Sequence, residues 1–317
     1  MLVALAGGVG AARFLRGLVQ VHPPGDLVVV GNTGDDLVLH GLHVSPDLDS
    51  VSYTLAGLGD DERGWGLAGE TWAVRDALGR LGEPTWFGLG DRDIATHLLR
   101  TRLLGEGWPL SRVTAELAGR LGLGLRLLPM SDDPVRTHVE VDTPDGVQEL
   151  GFQQWWVGRG AADPVRAVRF AGAETARPAP GVIEAIAAAD GIVLCPSNPV
   201  VSIAPILAVP GIRAAVQARR DAGARVVAIS PIVGGAPVRG MADKLLPAWG
   251  AEVSALGVAR LYAGLADVFV LDEVDADQAG PVAAIGLEPV VTQTVMTTPS
   301  VAAELAKTAL GSLWRSP

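Results

Sequence analysis

Residues 2–31 read LVALAGGVGAARFLRGLVQVHPPGDLVVVG, and this stretch decides the fold class. A short apolar run, Leu2–Ala6, ends in a glycine turn, and apolar residues at helical spacing follow from Ala11 to Val19. A second apolar run, Leu27–Val30, has the length of a strand. Strand, glycine turn, helix and strand in this order are typical of a parallel sheet, so the sequence predicts an α/β fold.

The pattern returns in the second half of the chain. Apolar runs at Gly191–Cys195 and Arg225–Ile229 each end in a loop that contains proline, and helical spacing precedes the second run. A final helix is predicted over Pro299–Leu310, with Thr298 as its cap. We therefore expect a mostly parallel sheet with helices on both faces.

A different pattern interrupts the middle of the chain. Arg136–Asp142 and Val147–Gln153 alternate apolar and polar residues on either side of the turn sequence Thr143–Pro144–Asp145–Gly146. This is typical of an antiparallel hairpin. We predict a smaller lobe that contains the hairpin, inserted at residues 131–174 into a core made of residues 1–130 and 175–317.

Composition and charge limit the possible functions. The chain has 317 residues, of which 49% are apolar, and its formal net charge is −10. This balance gives no general attraction to nucleic acid or to anionic lipid, so we expect neither as a partner. The single cysteine, Cys195, excludes an internal disulfide framework and a cysteine-based zinc cluster, which fits a reducing cytoplasm.

One apolar stretch is long enough to cross a membrane. Residues 191–212 carry no charged side chain, but they include four prolines, which a lipid-exposed helix tolerates poorly. We predict a buried strand, a loop and a short helix there instead. The first residues also lack the basic segment of a signal peptide, so we expect a cytoplasmic protein without a membrane span.

The glycine turn predicts a contact with phosphate, because backbone N–H groups at a helix N-terminus attract anions. The dinucleotide motif GxGxxG begins at Gly8 and Gly10, but Arg13 occupies its third glycine position, and no acidic residue ends the second strand. No Lys–Ser/Thr pair follows, so the turn is not a P-loop. We expect a phosphate or nucleotide contact with Arg13 as a cation; a tight turn without a ligand is the alternative.

Four acidic residues follow the second strand closely: Asp35, Asp36, Asp47 and Asp49. Carboxylates gathered on loops at the end of a strand repel one another unless a cation lies among them, and Mg²⁺ prefers carboxylates together with phosphate oxygens. We therefore predict a magnesium site. Taken singly, Asp35 is also explained as a turn residue, and Asp49 as the cap of a helix that starts at Ser50.

Polar residues at two other places complete the candidate set. Asp91, Arg92 and Asp93 open an apolar helix, in which Asp93 is predicted as the N-cap and His97 as a core residue. Arg92 is either a salt-bridged structural residue or a cation for a polar substrate. Ser197–Asn198–Pro199 follows the strand at residues 191–195, where open α/β sheets bind their ligands.

Together these segments resemble the 2-phospho-L-lactate transferase family of coenzyme F420 biosynthesis. The order and spacing of the motifs match the family over most of the chain. The segments that carry the resemblance are Gly7–Gly10, Asn32–Asp36, Ser45–Asp49, Gly64–Gly66, Gly90–Asp93, Ala95–His97, Leu128–Asp133, Pro196–Pro199, Ser202–Ile203 and Ser230–Ile232.

The resemblance implies a Rossmann-like α/β fold, a homodimer and a Mg²⁺-dependent phosphotransferase that forms a phosphodiester. In the implied reaction, lactyl- or enolpyruvyl-diphosphoguanosine, a guanylated three-carbon acid, gives its phospho-acid group to the ribityl hydroxyl of the deazaflavin alcohol Fo. GMP leaves, and the product is F420-0 or its dehydro form. The arginine- and alanine-rich composition resembles actinobacterial members, which favours the enolpyruvyl donor.

Three sets of site residues follow. Asp49 and Arg92 match family positions associated with the Fo pocket or the metal beside it, and they are the predicted catalytic residues. The predicted metal ligands are Asp35, Asp47 and Asp49. The predicted nucleotide-binding set is Gly7, Gly8, Gly10, Arg13, Asp91, Arg92, Ser197, Asn198 and Pro199.

Two other functions compete with this one. A nucleotide-sugar-binding regulatory protein, resembling the gluconeogenesis-factor proteins, would share the fold and the glycine loop but would have less need of the acidic loops at residues 47–49 and 91–93. A dinucleotide-dependent oxidoreductase is disfavoured by Arg13 and Asn32. The acidic loops favour the transferase.

Overall fold

The computed structural model describes residues 1–314 and has the predicted α/β fold. Seven parallel strands form the central sheet, and the remaining strands form small antiparallel sheets. The strands are β1 (Leu2–Ala6), β2 (Leu27–Gly31), β3 (Leu37–Leu39), β4 (Leu42–Val44), β5 (Arg126–Pro129), β6 (Arg136–Thr143), β7 (Gly146–Gly151), β8 (Val165–Ala171), β9 (Gly191–Leu194), β10 (Arg225–Ile229), β11 (Ile232–Val233), β12 (Ala236–Pro237), β13 (Val268–Leu271) and β14 (Glu288–Val291).

Helices cover both faces of this sheet, as predicted. Each buried strand turns alternate side chains to opposite faces. In β1, Val3 and Leu5 belong to one buried cluster, and Leu2 and Ala4 belong to another. The helices are α1 (Gly8–Val21), α2 (Pro46–Leu55), α3 (Ala73–Arg80), α4 (Asp91–Gly105), α5 (Leu110–Arg120), α6 (Val182–Ala188), α7 (Ala204–Ala208), α8 (Ile212–Asp221), α9 (Ala242–Ala248), α10 (Ala255–Tyr262), α11 (Ala279–Ala284) and α12 (Pro299–Leu313).

The strand order of the central sheet creates a crevice beside β1. The order is β14-β13-β10-β9-β1-β2-β5, with β2 on one side of β1 and β9 on the other. The direction of winding therefore reverses at β1, and the loops that leave β1 and β9 diverge. Open α/β sheets bind ligands at such a reversal, so the fold places the glycine turn and Pro196–Asn198 where a ligand is expected.

The predicted hairpin is present as β6 and β7, which are joined at the pair Thr143–Gly146. A third strand, β8, pairs with the other edge of β6, and its sequence does not predict it because Arg166 and Arg169 break the alternation. Trp155 from this region belongs to the same buried cluster as Val3 of the central sheet. The division into a core and an inserted lobe stays a prediction.

The apolar stretch at residues 191–212 forms β9, a π-helical turn (Pro199–Ile203) and α7, which agrees with the predicted strand, loop and short helix. Within residues 1–314, no single helix has both the length and the hydropathy of a membrane span. The segments Pro199–Ala208 and Ile212–Asp221 meet these criteria only as a pair, and a bend of 86° separates them.

Gly17 sets how closely α1 packs against α12. A Cβ at Gly17 would lie 2.6 Å from the amide nitrogen of Ala303, so the α12 backbone would have to move. We expect Gly17→Ala to lower the free energy of unfolding by about 1–3 kcal/mol, measured by urea denaturation. In the matched control Gly119→Ala, the new Cβ meets open space in α5, and stability stays equal or rises by up to about 1 kcal/mol. Equal losses in both variants would contradict this packing.

Candidate active site

A cavity of about 220 Å³ opens at the carboxyl edge of the sheet, beside the reversal at β1. Its walls come mainly from the loops that follow β1, β9, β10, β12 and β14. We call it the glycine-loop cavity. Six residues of the predicted nucleotide-binding set line it: Gly7, Gly8, Gly10, Arg13, Ser197 and Asn198.

Each glycine of the loop has its own steric reason to lack a side chain. Gly8 has a φ of +70°, which glycine adopts at little cost. A Cβ at Gly10 would overlap the carbonyl oxygen of Pro196, and a Cβ at Gly7 would lie 2.6 Å from Asp47 Oδ2. The loop therefore presents the N-terminus of α1 to the cavity, where backbone N–H groups attract anions.

Asn198 holds the shape of the loop after β9. Its side-chain oxygen accepts hydrogen bonds from the amides of Val200 (2.9 Å) and Val201 (3.3 Å) and so caps the turn that follows. Ser197 Oγ accepts a hydrogen bond from the amide of Gly7 at 3.4 Å, which links the two loops. Pro199 begins the turn, is buried and does not line the cavity.

Asp35 and Asp47, two of the predicted metal ligands, both line the glycine-loop cavity and are only 5% and 6% exposed. Burial, and then the negative charge of Asp47, raise the pKa of Asp35 well above its usual value. Burial raises the pKa of Asp47 to about 6. Asp47 accepts a hydrogen bond from Asn32 Nδ2 at 2.8 Å, whereas Asp35 Oδ1 is buried without a partner among residues 1–314.

These two acids fit a divalent cation. A buried carboxylate oxygen without a partner costs free energy, and a second carboxylate adds repulsion, so a cation between them relieves both costs. In the described part of the chain, no three His, Cys, Asp or Glu side chains form a group that could hold an ion. Two carboxylates with water and substrate phosphate oxygens are a ligand set that Mg²⁺ accepts.

Asp49, the third predicted metal ligand, lies in a different environment. It is not a helix cap, because α2 begins at Pro46. Both of its carboxylate oxygens accept hydrogen bonds from the buried Arg100, one of them from Nη1 at 3.1 Å. Arg100 therefore balances the charge of Asp49 inside the protein, and a role for Asp49 in metal binding stays a prediction.

The buried network around Arg100 extends to the start of α4. His97 is buried, as predicted, with Nδ1 at 3.1 Å from Arg100 Nη1 and Nε2 at 3.1 Å from Asp93 Oδ1. Tyr53 Oη donates to Asp93 at 2.6 Å. The prediction of Asp93 as an N-cap is wrong: α4 begins at Asp91, and the carboxylate of Glu70 accepts the free amide hydrogens of its first turn.

A second cavity, of about 530 Å³, adjoins the first and is hereafter the aromatic cavity. Aromatic side chains and part of the buried network form its walls. Flat apolar walls with a few polar groups suit a planar ligand that carries polar substituents. These wall residues are Tyr53, Trp65, Trp86, Phe87, Trp156, Asp49, Asp93 and His97.

The two cavities meet at a junction. Five residues line both cavities: Gly8, Val9, Asp47, Trp156 and Arg239. Among them, Asp47 is the acidic residue and Arg239 is the positively charged one. Ligands bound in the two cavities can therefore touch beside Asp47, and a transfer between two substrates needs such proximity.

The sequence matches a known family over nearly its whole length. The sequence model of the family described as 2-phospho-L-lactate transferase CofD covers residues 2–299. The chain belongs to this family. The resemblance carried by the motifs is thus confirmed.

Several relatives of this protein align with most of its chain. These relatives are named phosphoenolpyruvate transferase. The protein from Streptomyces griseus is 53% identical over 311 residues, which are 98% of this chain and 97% of that protein. The protein from Thermobifida fusca is 52% identical and covers 87% of each chain. The protein from Mycobacterium avium is 44% identical and covers 98% of this chain and 97% of its own.

The fold of this 2-phospho-L-lactate transferase family member also occurs in a solved structure. Protein BH3568 from Bacillus halodurans, a member of the UPF0052 family, matches with a TM-score of 0.64 at 18% identity over 98% of both chains. At that identity the likeness shows the fold alone.

Asp91 and Arg92 do not line either cavity of the family member. The carboxylate of Asp91 accepts hydrogen bonds from Thr71 Oγ1 (2.5 Å) and from the amides of Ala73 (3.0 Å) and Val74 (2.9 Å), and so caps α3. Arg92 Nη1 donates to the carbonyl oxygen of Ala68 at 2.5 Å. Both side chains form hydrogen bonds that stabilise the segment between α2 and α4. Their roles in nucleotide binding and catalysis stay predictions.

Sequence reasoning misses three side chains of the site. Asn32 stands in a family motif, but only the fold shows that it binds Asp47. Arg100 pairs with Asp49 from 51 positions away, and Arg239 reaches the junction from the loop that follows β12. Charge balance is the one signal in the sequence that indicates such a partner. A buried acid needs a cation, and the neighbouring sequence does not contain one.

The pairing of Asp49 with Arg100 changes one expectation. Because the sequence assigns Asp49 to the metal or Fo site, it predicts that Asp49→Asn removes turnover with little loss of stability. The structure shows that the variant leaves a buried guanidinium unbalanced, so we expect the free energy of unfolding to fall by about 3–5 kcal/mol in urea denaturation. The control Asp76→Asn breaks the exposed pair with Arg75 and should change stability by less than about 1 kcal/mol. A loss that small for Asp49→Asn would refute the pairing.

The raised pKa of Asp35 makes stability depend on pH. The folded state holds the proton more tightly than the unfolded chain, where the carboxyl titrates near 3.8, so the free energy of unfolding falls as pH rises through the raised pKa. In EDTA near pH 8 we expect Asp35→Asn to be more stable than the wild type by about 1–3 kcal/mol. The difference should vanish near pH 4. A less stable variant at high pH would mean that the carboxylate is already compensated.

Proposed function

We propose that this transferase of coenzyme F420 biosynthesis moves the phosphoenolpyruvyl group of enolpyruvyl-diphosphoguanosine to the ribityl hydroxyl of Fo and releases GMP. The observation that carries the proposal is the junction at Asp47, where the glycine-loop cavity and the aromatic cavity meet. The enolpyruvyl donor is favoured over the lactyl donor by the names of the relatives, which are phosphoenolpyruvate transferases.

The guanylated donor binds in the glycine-loop cavity. Its diphosphate lies at the N-terminus of α1, where backbone N–H groups and the helix dipole stabilise negative charge. Arg13, which also lines this cavity, adds a cation from the same helix. Ser197 and Asn198 also line this cavity and offer a hydroxyl and an amide group to the nucleoside.

The deazaflavin acceptor binds in the aromatic cavity. Its planar ring system stacks on walls formed by Tyr53, Trp65 and Trp86. Its ribityl chain runs toward the junction, where Asp47 and Trp156 line both cavities. This placement brings the hydroxyl of Fo beside the phosphate of the donor.

The reaction replaces one phosphate ester link by another. The hydroxyl oxygen of Fo bonds to the phosphorus that carries the enolpyruvyl group, and the bond from that phosphorus to the bridging oxygen breaks. GMP leaves with the bridging oxygen, and the hydroxyl proton passes to Asp49, which lines the acceptor side. Most of the acceleration comes from holding the two substrates in line in adjoining sites.

The predicted Mg²⁺ would be held by Asp35 and Asp47. When bound, it would neutralise the diphosphate and favour ionisation of the attacking hydroxyl. Asn32 keeps Asp47 in place through its hydrogen bond of 2.8 Å. The homodimer implied by the family resemblance and the cytoplasmic location expected from the sequence belong to the same proposal.

A turnover assay tests the proposed function. The purified protein is mixed with Mg²⁺, Fo and either donor, and the products are followed by mass spectrometry. We expect GMP release that depends on Fo and a phosphoenolpyruvyl adduct of Fo, formed faster than the lactyl adduct. Asp47→Asn should lower kcat by about 100-fold or more, whereas the exposed control Asp277→Asn should keep wild-type kcat.

The two competing functions give other results. Folded protein that forms no adduct with either donor would contradict the transferase. Binding of UDP-sugars without turnover would then favour the nucleotide-sugar-binding regulator. Binding of NAD(P) in place of guanosine nucleotides would favour the oxidoreductase.

A further inference from the structure

Arg239 occupies a special position in the site. Of the five residues that line both cavities, it is the one with a positive charge. It follows the short strand β12, so it approaches the junction from a different segment than the glycine loop and Asp47. A negative group that lies between the two cavities therefore meets Arg239 from one side.

Contacts with the backbone hold the Arg239 guanidinium in place. Nη2 donates a hydrogen bond to the carbonyl oxygen of Arg63 at 3.0 Å. The guanidinium also packs against Gly64, where a Cβ would overlap Nη1. The side chain is thus directed by residues 63–64, across the site from its own loop, and the remaining N–H groups are available to a ligand.

Arg239 is exposed to solvent and has no acidic partner in the described part of the chain, so its charge is free to meet a ligand. Within residues 1–314, neither Arg239 nor Arg13 forms an ion pair with an acidic side chain. Burial and then the positive charge of Arg13 lower the pKa of Arg239. Two arginines that line one cavity without an ion-pair partner, in a chain of net charge −10, favour the binding of an anion beside them.

The donor of the proposed function carries negative charge in two places. Its diphosphate is matched by the N-terminus of α1, by Arg13 and by the predicted cation. Its three-carbon acid adds a carboxylate, and this part must lie at the junction because it is transferred from one cavity to the other. Arg239 is the remaining cation at that place.

We propose that Arg239 binds the carboxylate of the transferred three-carbon acid and is the residue that makes the enzyme require an acidic donor. The inference rests on the proposed function. A guanidinium suits this task because its planar fork can donate two parallel hydrogen bonds to a carboxylate. Lactyl and enolpyruvyl groups both carry the carboxylate, so Arg239 selects for an acid without distinguishing these two.

A matched pair of ligands isolates the carboxylate. The first is lactyl-diphosphoguanosine, and the second is the isopropyl ester of GDP, in which a methyl group replaces the carboxylate. Their dissociation constants are measured by titration calorimetry with Mg²⁺ for the wild type, Arg239→Gln and Arg239→Lys. Arg260→Gln, on the exposed face of α10, is the control for a lost positive charge.

We expect the wild type and Arg260→Gln to bind the lactyl ester about 10- to 100-fold more tightly than the isopropyl ester. In Arg239→Gln this preference should fall below about threefold, while the affinity for GDP itself stays within about twofold of wild type. Arg239→Lys should keep part of the preference, because it keeps the charge and loses the fork.

Other results overturn the inference. An unchanged preference in Arg239→Gln would mean that another group holds the carboxylate. An equal loss of affinity for both esters and for GDP would mean that Arg239 holds the diphosphate or the fold of the site. If the wild type bound no guanosine nucleotide at all, the proposed function would fail and the inference with it, whereas the first two results leave that function intact.

Discussion

The site depends on the close approach of one buried carboxylate, Asp47, to a loop that has no side chain in its way. Gly7 at the end of β1 and Asn32 just beyond β2 contact Asp47 together, because β1 and β2 are neighbours in the parallel sheet. This contact brings α2 against the N-terminus of α1, and as a result Asp47 lies on the walls of both cavities. The glycines of the loop thus leave room for the Asp47 carboxylate, and the backbone N–H groups of the loop attract phosphate.

The charged side chains of the site form one acidic pair and one basic pair. Asp35 and Asp47 are buried near each other with raised pKa values, and Arg13 and Arg239 line the same cavity without acidic partners. Burial of two nearby acids is unfavourable in the unliganded protein, and a ligand that arrives with a cation would relieve it. Stability lost at a binding site in this way is a common cost of function.

Local patterns explain what could be predicted from the sequence. The parallel strands, the β6–β7 hairpin and the glycine loop each follow from periodicity or turn residues within a short window. The charge partners do not, because Arg100 meets Asp49 across 51 positions and Arg239 meets Arg63 across 176. The N-cap assigned to Asp93 fails for the same reason, since Glu70 supplies the cap of α4 from a different segment.

We propose that donor and acceptor occupy separate cavities that meet at a cation held by Asp35 and Asp47. A crystal structure of the protein with GDP, Fo and Mn²⁺ in place of Mg²⁺ tests it most directly, because the anomalous signal of manganese locates the ion. We expect one manganese peak between Asp35 and Asp47, GDP in the glycine-loop cavity and Fo in the aromatic cavity. Manganese at another site, or both ligands in one cavity, would contradict it.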